Sequence, residues 1–551
     1  MTQDVDIKKA MIWAKTWSNK KMLDDKDFKQ LLAYESTSLW WFLVQYIINR
    51  ATQTLRKLEA PITKKKLKKL RLVKFYLGCR YLLRALYGKR MLLDKSDKKG
   101  SKAKILLITQ AQNWGTSSYG KKIKKEDRPF GEVIYALINR GYDVVAVEAD
   151  VMSFLNLKTL REKRRYEKGL WIPFETYLKL KMIRKALKEN ENYYKIWQKL
   201  RYDQKFRETL SFEGNSIQDA FEQDLDKFFG KETFHAVLYI EMAKRLFDLE
   251  KPDLVLISCE YCIHGRSTTI ACKMRGIPSL ALQHGIIHPF HTGYFHLPDE
   301  INQKRELSPQ YCPIPDKTAV YGPFVQNVLI EECNYPEDTI VITGQPRYDE
   351  LAEPNKHFSR KEFCRRYGLD PNKKIALLAT QPNPEKRRES FLSPTLRALK
   401  KLPNIQIVIK PHPNEDELWN KKIAQDKNVY ATFIPKRSSI FEALYSCDIM
   451  LTINSTSAIE AMILDKPVVV VNLTGEIDLM PYGQSGAALE AYKEKDILPA
   501  VKKALYDENT KNQLKESRKK FIYEHAYKVD GKSTLRVAEL IEEMIGSRSM
   551  A

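Results

Sequence analysis

One segment near the C-terminal end, residues 448–471, constrains the fold more than any other part of the chain. It reads as an apolar strand, a short polar loop, a helix that carries Glu460, and a second apolar strand at 467–471. Such a β-α-β unit predicts a parallel sheet, whose ligands bind where the strands end. The loop places three hydroxyl residues before the helix: Ser455, Thr456 and Ser457. Hydroxyls and backbone N–H groups at this position favour a phosphate or diphosphate.

A second polar turn follows the strand predicted at 405–409. That strand ends in Lys410 and His412, and prolines at 411 and 413 restrict the backbone around them. A lysine neutralises phosphate charge and a histidine donates a hydrogen bond to it, so both are predicted nucleotide contacts. Arg437 precedes another helix and is a further candidate. We expect the Glu460 carboxylate to accept the hydroxyls of a ribose.

The first half of the chain has a comparable turn after the strand predicted at 279–282. His284 ends that strand, and an imidazole titrates near neutral pH, so it is the leading candidate for a general base. Gly285 would permit a tight turn there. Glu260 is a second catalytic candidate. The other residues predicted to border the cleft are Gln110, Arg266, Gln283, Gly344, Gln345 and Arg347, with an Arg347–Asp349 ion pair as the structural alternative.

Metal and cofactor motifs are not evident. Five of the nine histidines fall between 264 and 296, yet their spacing lies in a loop interrupted by Pro and Gly. Cys259 and Cys262 have no second ligand pair, which favours structural thiols over zinc. The loop from 110 to 120 lacks the dinucleotide fingerprint, and no P-loop occurs. We therefore expect no metal and no cofactor, with a nucleotide-activated compound as substrate.

Charge is concentrated near the N-terminus of this 551-residue chain, whose net charge is +24. Between residues 61 and 90 there are eleven basic residues and no acidic one, with apolar residues at helical spacing among them. An interfacial amphipathic helix on an anionic membrane is the leading interpretation. Packing on the protein body is the alternative, and nucleic acid is disfavoured. No apolar run is long enough to span a bilayer, so a cytoplasmic protein, peripheral on the inner membrane face, is expected.

The order of strands and helices predicts an α/β protein with two Rossmann-like parallel-sheet domains facing across a cleft. We predict a basic helical extension at 1–100 and an N-terminal, acceptor-side domain at 101–355. A helical insertion at about 151–235 interrupts that domain. A C-terminal nucleotide-donor domain at 356–530 and a C-terminal helix at 531–551 complete the chain.

Four short sequences, in this order, resemble those of the GT-B superfamily. They are Gln283-His284-Gly285, Thr343-Gly344-Gln345-Pro346-Arg347, Lys410-Pro411-His412-Pro413, and Ser455-Thr456-Ser457 with Glu460. The resemblance is to surface and capsular polysaccharide glycosyltransferases, including the CDP-glycerol glycerophosphotransferases and the polysialyl- and Kdo-transferases. The UDP-N-acetylglucosamine 2-epimerases are also relatives. By this resemblance His412 and the 455–457 loop hold the donor phosphates, and His284 takes the place of the glycerophosphotransferases' base.

The resemblance implies a transferase that uses a nucleotide-activated sugar, or an activated polyol, in surface polysaccharide or glycoconjugate biosynthesis. The acceptor would be a glycan or a lipid-linked compound. Thr456 and Ser457 stand where the epimerases carry two glycines, which makes an epimerase the alternative rather than the first expectation. A second alternative is a non-catalytic protein that binds nucleotide-sugars or nucleic acid.

Overall fold

The protein is described here from a computed structural model. The described residues are 2–55, 70–95, 100–119, 122–150, 157–212, 215–216, 218–436, 438–475, 478 and 480–550. The predicted site residue Arg437 lies outside them, as do residue 120 of the loop expected at 110–120 and residues 61–69 of the basic segment.

Helices dominate the N-terminal extension, as predicted. They are α1 (Thr2–Trp17), α2 (Phe28–Leu31), α3 (Trp40–Leu55) and α4 (Leu70–Leu92), with a small ribbon of β1 (Ala33–Tyr34) and β2 (Thr37–Ser38). Trp17, Trp40 and Trp41 are fully buried, in one apolar cluster with residues of the first sheet such as Leu106 and Val145. The extension is therefore part of the first domain's core.

Part of the basic segment is structural rather than exposed. Arg80 and Arg84 of α4 are buried and form ion pairs with Asp150, and Arg84 also pairs with Glu148 and Glu175. These two arginines hold the extension on the first domain, which corrects their assignment to a membrane-facing surface. Among the described residues no helix is long and apolar enough to cross a membrane. Membrane contact through the remaining basic residues stays a prediction.

The first domain is built on a seven-stranded parallel sheet in the order β13-β12-β11-β10-β3-β6-β7. Its strands are β3 (Lys104–Gln110), β6 (Asp143–Ala149), β7 (Trp171–Pro173), β10 (Leu254–Ile257), β11 (Ser279–Leu282), β12 (Lys317–Val320) and β13 (Ile340–Ile342). Its helices are α5 (Gly131–Asn139), α6 (Lys158–Tyr166), α7 (Leu180–Leu200), α8 (Gln204–Thr209), α9 (Gln218–Lys227), α10 (Thr233–Glu250), α11 (Ile263–Arg275) and α12 (Pro323–Asn327).

Two predictions for this domain need correction. The loop expected from Gln110 to Gly120 contains a strand, β4 (Trp114–Tyr119), which pairs antiparallel with β5 (Lys122–Asp127). The insertion at 151–235 is mainly helical, yet it also contributes β7 to the main sheet and a short ribbon, β8 (Ser211–Phe212) with β9 (Asn215–Ser216). Three residues are too few for a periodic pattern, which is why β7 was not predicted.

The second domain has a six-stranded parallel sheet in the order β16-β15-β14-β17-β18-β19. Its strands are β14 (Lys374–Ala379), β15 (Ile405–Lys410), β16 (Thr432–Phe433), β17 (Ile449–Thr452), β18 (Val468–Val471) and β19 (Leu489–Ala491). Its helices are α13 (Arg360–Tyr367), α14 (Glu385–Lys400), α15 (Glu417–Asp426), α16 (Ile440–Ser446), α17 (Ser457–Ile463), α18 (Glu494–Tyr506) and α19 (Glu508–Ala526). Two parallel α/β domains confirm the predicted GT-B fold.

The chain returns to the first domain at its end. Helix α20 (Ser533–Met550) begins at the predicted Ser533, and its residues Val537 and Ile541 are buried against Leu107 and Val133 of the first domain. The predicted C-terminal helix is therefore an element of the first domain's surface layer. The two domains are therefore connected twice, through residues 343–360 and through residues 527–533.

Candidate functional site

Lys410 is the last residue of β15 and lies at the carboxyl edge of the second sheet. Its Nζ donates to the carbonyl oxygens of Pro411 (3.1 Å) and Lys436 (2.8 Å). Burial, and then the nearby charge of Arg128, lower its pKa to about 8. Lys410 thus fixes the turn that carries His412, and its ammonium group has a third N–H for a ligand.

His412 follows in the same turn and is half-buried. Its backbone N–H donates to the Glu415 carboxylate (2.7 Å), and the N–H of Asn414 donates to its Nδ1 (3.1 Å). Because Nδ1 accepts, the neutral ring carries its proton on Nε2, where it is a donor. Burial, followed by the charges of Arg128 and Lys410, lowers the His412 pKa. The ring is therefore a neutral hydrogen-bond donor at pH 7.

Arg128 is a site residue that sequence reasoning missed. It follows β5 of the first domain, yet its charge acts on both Lys410 and His412 of the second. The positive charge of a first-domain arginine therefore acts on both residues of the second-domain turn. Arg128 stands in no motif, and the only sequence signal was a basic residue next to a proline at a predicted turn.

The hydroxyl loop after β17 is placed as predicted. Ser455 Oγ accepts from the N–H of Ser457 (3.2 Å), and the Ser455 carbonyl accepts from the Tyr482 hydroxyl (2.9 Å). Thr456 is exposed, while Ser455 and Ser457 are partly exposed. The loop is held from beneath by Tyr482 and presents its hydroxyl residues outward, as a phosphate site requires.

Glu460 lies within α17 and is 4% exposed. One of its oxygens is 4.0 Å from Arg347 Nη2, its carboxylate also bonds the Ser457 hydroxyl, and burial raises its pKa. The other oxygen, Oε2, has no hydrogen-bond partner within the described part of the chain. One carboxylate oxygen is therefore without a partner in the described part of the chain, and the predicted contact with ribose hydroxyls stays a prediction.

The predicted Arg347–Asp349 ion pair is wrong. Arg347 pairs with Glu460 and stacks on Phe441, 5.2 Å from the ring centre. Asp349 instead accepts from the N–H groups of Ser533 and Thr534, both at 2.8 Å. Asp349 thus caps the first turn of α20, and Arg347 joins the connecting segment to α17 of the second domain.

Gly344 and Gln345 precede Arg347 in the segment that joins the domains. Gly344 has φ +80°, and a Cβ there would lie 2.6 Å from Ser533 Oγ. The Gln345 side chain is buried and bonds Tyr321. Both residues shape the connection between the domains, so the prediction that they border the cleft is replaced by a structural role.

His284 follows β11 at the carboxyl edge of the first sheet. Its ring opens to solvent in the cleft, and its Nε2 lies 3.4 Å from the Tyr261 hydroxyl. Ile286, two residues on, packs against the apolar cluster of the second domain. The protein around the ring lowers the His284 pKa to about 4 by desolvation, so the imidazole is neutral at pH 7 but is a weaker base than the imidazole titrating near neutral pH that the sequence led us to expect.

The neighbours of His284 have roles other than those predicted. The Gln283 amide is buried and fully engaged: Nε2 donates to Gly285 C=O (2.8 Å), and Oε1 accepts from Tyr321 N–H (2.8 Å). It braces the turn rather than lining the cleft. Gly285 does not have a positive φ, and a Cβ there would meet no atom within 4 Å. The glycine thus leaves open space beside His284.

Glu260 and Arg266 lie in the interior, contrary to the prediction that they border the cleft. Glu260 accepts from the Tyr335 hydroxyl (3.2 Å), and burial raises its pKa to about 7. Arg266 is 4% exposed and donates to Cys312 Sγ. Their charges act on each other behind the cleft wall, which makes both supports of the wall rather than groups that touch a substrate.

Cys259 and Cys262 form a disulfide at the start of α11, which corrects the expectation of free thiols. Gln110, a predicted cleft residue, donates to Cys262 Sγ (3.3 Å). Gln110 and His284 line the same cavity. Within the described ranges no group of three or more His, Cys, Asp or Glu side chains is arranged to hold a metal ion.

Solved structures with a similar arrangement include enzymes of two kinds. A UDP-N-acetylglucosamine 2-epimerase from Neisseria meningitidis bound to UDP-GlcNAc is 15% identical and covers 80% of this chain and 100% of its own, with a TM-score of 0.47. A glycosyltransferase from Rickettsia africae is 14% identical and covers 81% of this chain and 99% of its own, with a TM-score of 0.46. The wall teichoic acid polymerase TagF is 13% identical and covers 91% of this chain and 99% of its own, with a TM-score of 0.43.

A curated relative, an uncharacterized protein of Methanocaldococcus jannaschii, is 29% identical over 147 residues. That match spans 26% of this chain and 22% of the relative, so it assigns no activity. The decisive comparison is with a family model, that of UDP-N-acetylglucosamine 2-epimerase, which matches residues 201–542. The match contains the His284 turn, the connecting segment, Lys410, His412 and the 455–457 loop. The chain therefore belongs to the UDP-N-acetylglucosamine 2-epimerase family.

Proposed function

We propose that the protein is a transferase that uses a nucleoside diphosphate sugar as donor. The observation that carries the proposal is the position of Lys410, His412 and the 455–457 loop at the carboxyl edge of one sheet, where the charge of Arg128 from the first domain also acts. Positive charges near one another favour a bound anion, because the negative charge relieves their repulsion. The 455–457 hydroxyl loop adds neutral donors to the same wall.

His284 supplies the other half of the reaction. A neutral imidazole in the cleft takes the proton from an acceptor hydroxyl as that oxygen attacks the anomeric carbon of the donor sugar. The bond between that carbon and the phosphate oxygen breaks, and the nucleoside diphosphate leaves with the bonding electrons. In this proposal Arg128, Lys410 and His412 stabilise the charge on the departing diphosphate.

The family's name favours UDP as the nucleotide and N-acetylglucosamine as the sugar. It also supports a second candidate, epimerisation at C2 of that sugar without an acceptor. Thr456 and Ser457, in place of the two glycines noted above, favour the transferase. An epimerase would produce a new UDP-sugar from UDP-N-acetylglucosamine alone, whereas a transferase would leave the sugar unchanged until an acceptor is added.

Nucleotide binding is the first test. The melting temperature is measured with UDP, CMP, CDP, GDP and dTDP in turn. One nucleoside diphosphate should raise it more than the other nucleotides do, because a bound ligand stabilises the folded protein by mass action. The same protein is then incubated with a nucleotide-activated sugar that contains the preferred nucleotide, and the products are separated by chromatography. Absence of a shift with every nucleotide would contradict the proposal, and a new UDP-sugar without acceptor would establish the epimerase.

A further inference from the structure

A cavity of about 780 Å³ opens beside His284, on the side of the first sheet that faces the N-terminal helices. Its base is formed by residues at the carboxyl ends of the strands, among them Gln110 after β3 and Cys259 and Tyr261 after β10. Helices α3 and α10 close the other sides. The cavity is thus a chamber of the acceptor-side domain that ends at the candidate base.

One wall of the cavity lies outside the part of the chain that matches the family. Phe42, Gln45, Tyr46 and Asn49 stand at i, i+3, i+4 and i+7 of α3 and so share one helix face. Gln45 Nε2 donates to the carbonyl of Tyr261 (3.2 Å), the residue whose hydroxyl reaches His284. The extension is therefore bonded directly to the loop that positions the base.

The lining combines amides with aromatic rings. Its amide side chains are Gln45, Asn49, Gln110, Gln112 and Asn113, and its tyrosines are Tyr46, Tyr81, Tyr239 and Tyr261. Amides donate and accept at once, as vicinal hydroxyls require, and ring faces pack on the C–H faces of pyranose rings. This composition suits a ligand with many hydroxyl groups.

Charges in the cavity balance. Arg80 pairs with Asp150 at 3.0 Å, and Lys231 is followed by Glu232 in the same wall. The contrast with the cationic wall formed by Arg128 and Lys410 is clear, since no such excess of one sign occurs among the residues that line the cavity. The lining therefore favours an uncharged ligand over a phosphate-rich one.

One buried ring nitrogen in the wall of the cavity has no hydrogen-bond partner among the described residues. His235 is 7% exposed, and its Nδ1 lies 2.7 Å from the Tyr81 hydroxyl. Its Nε2 is buried with no hydrogen-bond partner among the described residues. Buried polar atoms are almost always hydrogen-bonded, so an unsatisfied ring nitrogen in the wall of a cavity indicates a ligand group that completes it.

We infer that this cavity binds the uncharged, hydroxyl-rich end of a saccharide acceptor, and that the N-terminal extension supplies one of its walls. The inference rests on the proposed transferase function, because an epimerase needs no second substrate. The bound hydroxyl nearest to His284 would be the one that loses its proton. The extension would then distinguish this chain from relatives that act on the nucleotide sugar alone.

The test is saturation-transfer NMR on the full-length protein with maltotriose, cellotriose and triacetylchitotriose, and with a glycerol phosphate oligomer as the anionic probe. At least one neutral trisaccharide should receive saturation from the protein. The saturation-transfer signal should be at least five-fold weaker with the Asn49→Leu variant. Asn49 is exposed, so the substitution leaves the core intact. Asn192→Leu, an exposed asparagine on α7 outside the cavity, is the matched control and should behave as the wild type.

No transfer from any neutral trisaccharide would overturn the inference, as would transfer that is equal in wild type and Asn49→Leu. Stronger binding of the glycerol phosphate oligomer would also overturn it. UDP binding is measured on the same samples by thermal shift. Saccharide binding without nucleotide binding would reject the proposed transferase and keep the cavity assignment. Nucleotide binding without saccharide binding would reject the cavity assignment and keep the proposed transferase.

Discussion

The Tyr261 hydroxyl lies 3.4 Å from Nε2 of His284, and the two rings face each other with centres 5.8 Å apart. Tyr261 also makes edge contacts with His291 and Tyr294. Through its carbonyl it is bonded to Gln45 of α3. The candidate base is thus oriented by a tyrosine that is itself fixed from two sides, one of them the N-terminal extension.

His284→Asn should lower kcat by about 10²- to 10⁴-fold, because a general base contributes that much, while UDP affinity stays unchanged. In the wild type, kcat/KM should be constant where the imidazole is neutral and should fall as the pH drops through its lowered pKa, below the ordinary 6.5. Initial rates across pH 3–8 measure both. His357→Asn, an exposed histidine, is the control. Full activity in His284→Asn would remove it from the mechanism.

Ser455→Ala combined with Ser457→Ala should weaken nucleoside diphosphate binding about 100-fold or more, because hydrogen bonds to a charged group contribute about 1.5–3 kcal/mol each. Isothermal titration gives the affinity, and circular dichroism checks that the fold persists. Ser547→Ala on the exposed face of α20 is the matched control and should bind as the wild type. Unchanged affinity in the double variant would place the phosphates elsewhere.

Arg84→Met should destabilise the first domain by about 3–5 kcal/mol, because it leaves Glu148 and Glu175 as buried charges without this partner. The shift of the urea midpoint, followed by tryptophan fluorescence, measures the loss. Lys89→Met, an exposed basic residue of the same helix, should change the midpoint little. Equal midpoints for the two variants would show that Arg84 does not hold the extension in place.

Glu260 makes stability depend on pH. Its folded-state pKa of about 7 exceeds its ordinary value of 4.5, so between these values the folded chain keeps a proton that the unfolded chain has released. The free energy of unfolding should therefore fall as pH rises from 4.5 to 7, by about 3 kcal/mol in all, and the loss persists above pH 7. Glu260→Gln should flatten this part of the profile in urea titrations. A slope equal to that of the wild type would contradict the burial of a carboxyl group.

The Cys259–Cys262 disulfide predicts the number of thiols. The six other cysteines are Cys79, Cys272, Cys312, Cys333, Cys364 and Cys447, and they are free. Protein purified without reductant and unfolded in guanidinium should give six thiols by Ellman titration, and eight after reduction. Cys262→Ser should give seven without reductant. Eight thiols in the unreduced wild type would show that the pair is not bonded under those conditions.

The local sequence was sufficient to predict where most candidate site residues of the second domain lie. Lys410, His412 and the 455–457 loop stand directly after strands whose apolar runs are easy to recognise, and a residue that follows a parallel strand must lie at the carboxyl edge of the sheet. The same reasoning placed His284. Glu260 and Arg266 also follow a strand, yet they turn inward. Position along the chain fixes the edge of the sheet, whereas side-chain direction depends on packing.

The sequence by itself determined the two parallel sheets, the order of their strands along the chain and the turns at their carboxyl edges, because these follow from short-range patterns of apolar and turn residues. Only the tertiary structure decided that the charge of Arg128 acts on Lys410 and His412. It also decided that Arg347 pairs with Glu460 rather than Asp349, and that α3 closes the cavity beside His284. These contacts connect residues far apart in the chain, and their partners are selected by the packing of whole elements, which no local pattern encodes.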